Sequence, residues 1–174
     1  MKHDEYVAMR ATIRERGTAR MVLLPLIFIG WAGTAVATAA VITVAVSTLV
    51  PLLVLAAGFE AVFALHSNVE RIGRYLQVFH EPKDEEGWEH VAMTFGQRYP
   101  GTGPDPICGR LFVMATSVNF LPVALGGGVP EIAVLAVLHL LFINRVRVAR
   151  GLAVRQRAED LERFTTIRGE KGSL

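Results

Sequence analysis

Residues 107–148 read ICGRLFVMATSVNFLPVALGGGVPEIAVLAVLHLLFINRVRV. Two apolar stretches, 107–125 and 129–148, flank Gly126, Gly127 and Gly128, and each is close to the roughly 20 residues a helix needs to cross an apolar layer of about 30 Å. Three consecutive glycines do not easily continue a helix, and Pro130 suits the first turn of the next one, where its missing N–H would have had no partner. The pattern predicts two spans joined by a tight turn. Earlier in the chain, 22–43 and 51–70 repeat it, with the break near residues 47–51 and Pro51 opening the second span. The expected fold class is therefore all-α integral membrane, a four-transmembrane-helix bundle made of two helical hairpins, with cytoplasmic amphipathic helices.

Composition agrees. Of 174 residues, 52% are hydrophobic and 20% charged, and the mean hydropathy is +0.39, which disfavours both a disordered chain and a water-soluble domain. The length suits one membrane domain over 1–174. The first apolar run continues from Met21 to about Val50, far beyond the hydrophobic region of a secretion signal, so an uncleaved anchor fits better. A lone cysteine, Cys108, excludes an internal disulfide, a Cys-rich zinc site and a CxxC redox pair.

Charge fixes the expected orientation. Lys and Arg occur in 1–20, in 71–106, at Arg110 and in 145–174, whereas the two short turns hold none and carry only Glu131. Because Lys and Arg resist translocation, both termini and the middle segment are expected on the cytoplasmic side, in a bacterial inner membrane.

Three cytoplasmic pieces follow. Residues 1–20, with Tyr6, Met9 and Ile13 on one face, read as an amphipathic segment that lies at the interface or covers the C-terminal tail. In 71–106, Val69, Ile72, Leu76 and Phe79 carry the second span past the membrane until Pro82. A short helix then starts at Asp84 and ends at Gln97, with Trp88, Val91, Ala92 and Phe95 forming a stripe that lies on the membrane surface. Asp105 and Pro106 open the third span. The fourth continues as a basic helical tail over 149–174, and Arg145, Arg147, Arg150, Arg155 and Arg157 are expected to meet anionic lipid head groups. Sparse aromatic interleaving argues against nucleic acid.

The informative side chains are those that hydrocarbon should exclude. Glu60 lies nine residues past Pro51 and His139 nine past Pro130, so both fall about 13 Å along their spans and share a depth near the midplane. The expectation is an intramembrane polar pair, Glu60 with His139, either relaying protons or tying two helices together. His66, Glu70 and Asn144 form an inner-boundary cluster, with His66 and Glu70 four apart and expected to bond locally or to Arg71 and Arg74. Metal is a weaker reading for His66 and Glu70, and for Glu86 and His90, because each pair supplies only two ligands. Haem between His66 and His139 is disfavoured by a depth offset of about 9 Å. Gly33 and Ala37 fit small-residue helix packing, within the bundle or between protomers, and Asn119 is a candidate for an interhelical hydrogen bond.

The leading functional expectation is a noncatalytic accessory or assembly subunit, with membrane lipids and a membrane-protein partner or a second copy as partners. The alternatives are a proton- or cation-coupled carrier or channel using Glu60 and His139, and a metal- or haem-dependent membrane enzyme. No cofactor is assigned.

Overall fold

A computed structural model describes residues 2–41, 44–81, 87–99 and 105–172. The described residues are almost all helical, with no strand among them: α1 Lys2–Val41, a 3-10 turn Ala45–Thr48, α2 Leu49–Phe79, α3 Trp88–Arg98, α4 Asp105–Gly126 and α5 Val129–Gly172. Four of these, α1, α2, α4 and α5, contain stretches long and apolar enough to cross a membrane, which makes this an integral membrane protein by length and composition.

The helix breaks follow local chemistry. At Gly127, a Cβ would lie 2.8 Å from the Val123 carbonyl oxygen, a backbone atom that cannot yield, so α4 can close there only on glycine. The Glu131 carboxylate then accepts the Gly128 N–H at 3.2 Å, the arrangement in which a third-position Glu reaches back over a helix N-terminus. Glu131 is thus a capping group. α2 continues beyond its apolar part to Phe79 as its periodicity predicts.

Two features differ from the sequence reading. First, α1 is unbroken from Lys2 through Pro25, so the segment 1–20 and the first span are one helix of 40 residues. Pro25 and Pro122 each remove a hydrogen bond to the carbonyl four residues back, a loss that neighbouring groups in membrane helices routinely absorb. Second, α3 starts at Trp88, and its cap comes from Glu81. That carboxylate accepts the Glu89 N–H at 2.9 Å and the His90 N–H at 3.3 Å, placing negative charge on the positive end of the helix. Gly87 lets it approach: a Cβ there would lie 2.3 Å from the Glu81 carboxyl. Asp84, the expected cap, lies outside the described residues. On α3, Trp88, Val91 and Phe95 are exposed and Glu89 is buried.

Contacts group the chain into two compact units. One comprises Met1–Arg20, Ala64–Pro104 and Arg150–Leu174, and the other Met21–Phe63 and Asp105–Ala149. The division also separates charge: in the second unit the only charged residues are Glu60, Asp105, Arg110, Glu131, Arg145 and Arg147.

The core of the second unit is aromatic. Phe112 of α4, fully buried, lies 5.2 Å in ring centroid from Phe28 of α1 and 5.2 Å from Phe59 of α2, and Phe59 lies 6.0 Å from Phe142 of α5. Four helices meet in one cluster. Lipid tails are as apolar as these rings, so the cluster stabilises by close packing, about 0.5–1.5 kcal/mol per well-oriented ring pair, more than by leaving water. α1 joins α2 where Gly58 faces Ile27, whose branched carbons would sit 2.5 and 2.7 Å from an added Cβ.

Gly58→Ala is therefore expected to overpack that contact and destabilise the purified protein by about 1–3 kcal/mol, because a β-branched Ile27 cannot swing aside. Gly33→Ala, with nothing within 4 Å of the added carbon, is expected to be neutral in the same thermal unfolding assay. Equal losses for both would contradict this packing.

Candidate functional site

In the second unit, Asn119 gathers four elements. Its Oδ1 accepts the Trp31 indole N–H at 3.3 Å, its Nδ2 donates to the Thr48 carbonyl at 2.9 Å, and Nδ2 also lies 3.0 Å from His139 Nε2. These partners determine the proton positions. An indole can only donate and a backbone carbonyl can only accept, so the amide orientation is forced. The second amide N–H then requires His139 Nε2 to accept. His139 Nδ1 lies 2.8 Å from the Leu135 carbonyl and must carry the hydrogen. Both ring nitrogens are satisfied by a neutral imidazole, with Asn119 5% and His139 2% exposed.

Glu60 has a different partner. It bonds Arg145 at 2.8 Å, and the Arg145 guanidinium lies 4.8 Å from the Phe63 ring centroid and 5.6 Å from that of Phe59. The expected Glu60–His139 couple is replaced by two separate arrangements. Arg145 lies further along α5 than His139, but a helical side chain tilts toward its own N-terminus and the long Arg stem covers the offset. A full charge compensates a carboxylate better than a neutral ring does.

The first unit holds a denser ionic network. Glu89 of α3 accepts from Arg10 of α1 at 2.9 Å and from Arg74 of α2 at 3.5 Å, and Arg74 also donates to Gln77 at 2.8 Å. Gly73 makes room, since a Cβ would lie 2.8 Å from the Glu89 carboxylate. Arg157 of α5 lies 2.6 Å from Glu70, and Arg71 bonds the buried Asp160 at 3.0 Å. Around this network, the rings of Tyr75, Phe79 and Phe164 pack together, and the Tyr75 hydroxyl donates to Glu5 at 2.8 Å.

The expected inner-boundary cluster is rearranged accordingly. His66 faces Arg20 at 3.4 Å, Glu70 takes Arg157 rather than Arg71, and Asn144 is exposed on α5. Of the five arginines expected at lipid head groups, Arg145 and Arg157 turn to carboxylates instead, while Arg147, Arg150 and Arg155 are exposed. His90 Nδ1 lies 2.8 Å from Glu81, and Glu86 lies outside the described residues. Among the described residues, no group of three His, Cys, Asp or Glu side chains could hold a metal ion. Thr34 and Thr38 bond carbonyls of their own helix. The Glu89 network had no motif to reveal it.

The fold and these sites define an all-helical membrane protein with a charged unit and an apolar unit. No protein-family model, no curated protein and no solved structure matches the chain.

Burial pushes the Glu89 carboxyl above the ordinary carboxylate range, outweighing the opposing pull of Arg74 and Arg10, with Glu81 and Glu70 adding in the same upward direction. A carboxyl raised on folding contributes stability that is complete below its unfolded pKa and is lost as pH rises through its folded value. The stability advantage of the wild type over Glu89→Gln is therefore expected to be largest near pH 4 and to shrink toward pH 7, in thermal unfolding of detergent-solubilised protein. An advantage that grows with pH would mean that the two arginines dominate.

Proposed function

We propose that the chain is a noncatalytic accessory or assembly subunit of a bacterial inner membrane, anchored by two helical hairpins with both termini in the cytoplasm. The observation that carries this reading is the outward face of α1. Only 6% of its most apolar 18-residue stretch is buried within the chain, against 28–33% in the other three spans. Gly33 and Ala37 lie on that exposed side, and an added Cβ at Gly33 would meet nothing within 4 Å. Large apolar side chains are satisfied by lipid, but a smooth small-residue face gains most from another helix backbone brought close.

The orientation rests on positive charge. The charged unit contains both termini and the connection between the second and third spans, and the short turns contain no Lys or Arg. On the cytoplasmic side, α3 lies along the bilayer with Trp88, Phe95 and the following Tyr99 in the head-group region, and its buried Glu89 turns inward to Arg10 and Arg74. A carrier using Glu60 and His139 is less favoured, because each is held by its own protein partner and the two are not bonded.

The test is association of the purified protein in mild detergent. Gly33→Leu combined with Ala37→Leu is expected to weaken a fixed heteromeric or homomeric contact at least tenfold, while leaving thermal unfolding of the lone chain within about 0.5 kcal/mol. Unchanged association would remove the basis for the reading. Proton or cation flux in liposomes that Glu60→Gln abolishes would replace it with the carrier.

A further inference from the structure

The first unit contains a cavity of about 210 Å³ where α1, α2, α3 and α5 converge. Its charged lining is Arg10, Arg74 and Arg157 with Glu70 and Glu89, one more cation than anion. The partnering within this group is incomplete. Arg74, whose side chain is only 5% exposed, shares Glu89 at a long 3.5 Å while Arg10 takes the other oxygen at 2.9 Å. Its Nε has no hydrogen-bond partner, and neither do Arg157 Nε and Glu70 Oε2, which lie close together but poorly aligned. Buried guanidinium N–H groups left without acceptors are costly, and a polar cavity of this size does not stay empty. Glu81 is already committed to the α3 amides and His90.

The remainder of the wall is Gly73 and the apolar side chains Ile13, Val69, Trp88, Ala92 and Met93. A dry cavity of about 150 Å³ accepts benzene, so this one has room for an anionic group and a few carbon atoms. The occupant must bring acceptor oxygens for forked guanidinium donors, a single negative charge and apolar substituents. Glu70 and Glu89 weigh against a dianion. We infer that the cavity binds a phosphodiester, a monoanion with four oxygens and carbon on two of them. Two sources share that chemistry: the head group of a phospholipid and a soluble diester. Three of the lining helices, α1, α2 and α5, are also candidate spans, which favours the lipid. The assignment depends on these side chains and not on the accessory role.

Native mass spectrometry of the full chain in neutral detergent tests it, with phosphatidylglycerol, dimethyl phosphate and diacylglycerol as probes. The wild type is expected to retain one phosphatidylglycerol per chain and to bind diacylglycerol at least tenfold more weakly. Ala92→Leu, which fills the cavity without altering charge, and Arg157→Gln are each expected to reduce phosphatidylglycerol binding at least tenfold. Arg157→Lys, which keeps the charge and loses the fork, is expected to fall between. Circular dichroism and unfolding without lipid check each variant, and Arg157→Gln carries the test if Ala92→Leu does not fold. Binding of dimethyl phosphate as tight as the lipid supports the phosphodiester site and assigns it a soluble ligand. Wild-type affinity in folded Ala92→Leu and Arg157→Gln, equal binding of diacylglycerol, or no phosphodiester bound would overturn the inference.

Discussion

A polar side chain buried among apolar helices has no water to fall back on, so every donor and acceptor must be matched within the protein. Asn119 meets that constraint with three groups from different elements: the Trp31 indole, the Thr48 carbonyl and the His139 ring. Each is fixed in what it can give or take, and together they leave one arrangement of protons. Aromatic packing around Phe112 tolerates small slips of one helix on another; this network does not. Its energetic worth per bond is modest, since interhelical hydrogen bonds in membranes contribute on the order of 0.6 kcal/mol on average. Its effect is to specify register.

The charged unit solves the opposite problem. There, ionised groups are present in number, and burying them costs desolvation that pairing only partly offsets. Glu89 shows the balance: two arginines hold it, yet burial still pushes its carboxyl above the ordinary carboxylate range. Such a network is weak evidence of stability and better evidence of a fixed geometry, in which α1, α2, α3 and α5 each contribute a side chain to one ionic group. α3 is consequently turned so that its aromatic residues face outward, a direction that suits a bilayer surface and would be unfavourable in water.

Much of the fold was legible in the sequence because bilayer thickness and glycine sterics act on short stretches. The break at Gly126–Gly128, the helix opening near Pro51 and the extension of α2 to Phe79 all follow from local rules. Pro25 and the missing break before residue 21 do not, since an N-terminal amphipathic stretch and a span fuse into one helix whenever no residue stops them. The sites were legible as residue types and less so as pairs. Glu60, His139 and Asn119 stood out as polar groups in apolar runs, but equal depth on two helices does not fix rotation about their axes, and Glu60 faces Arg145 instead.

The proton positions around Asn119 provide the most direct measurement. In 15N NMR of ring-labelled protein in bilayers at pH 7, His139 is expected to be neutral, with Nδ1 carrying the proton and Nε2 bare and accepting a hydrogen bond. An imidazolium, or the tautomer with the proton on Nε2, would contradict the arrangement of Trp31, Thr48, Asn119 and His139 on which the helix register rests.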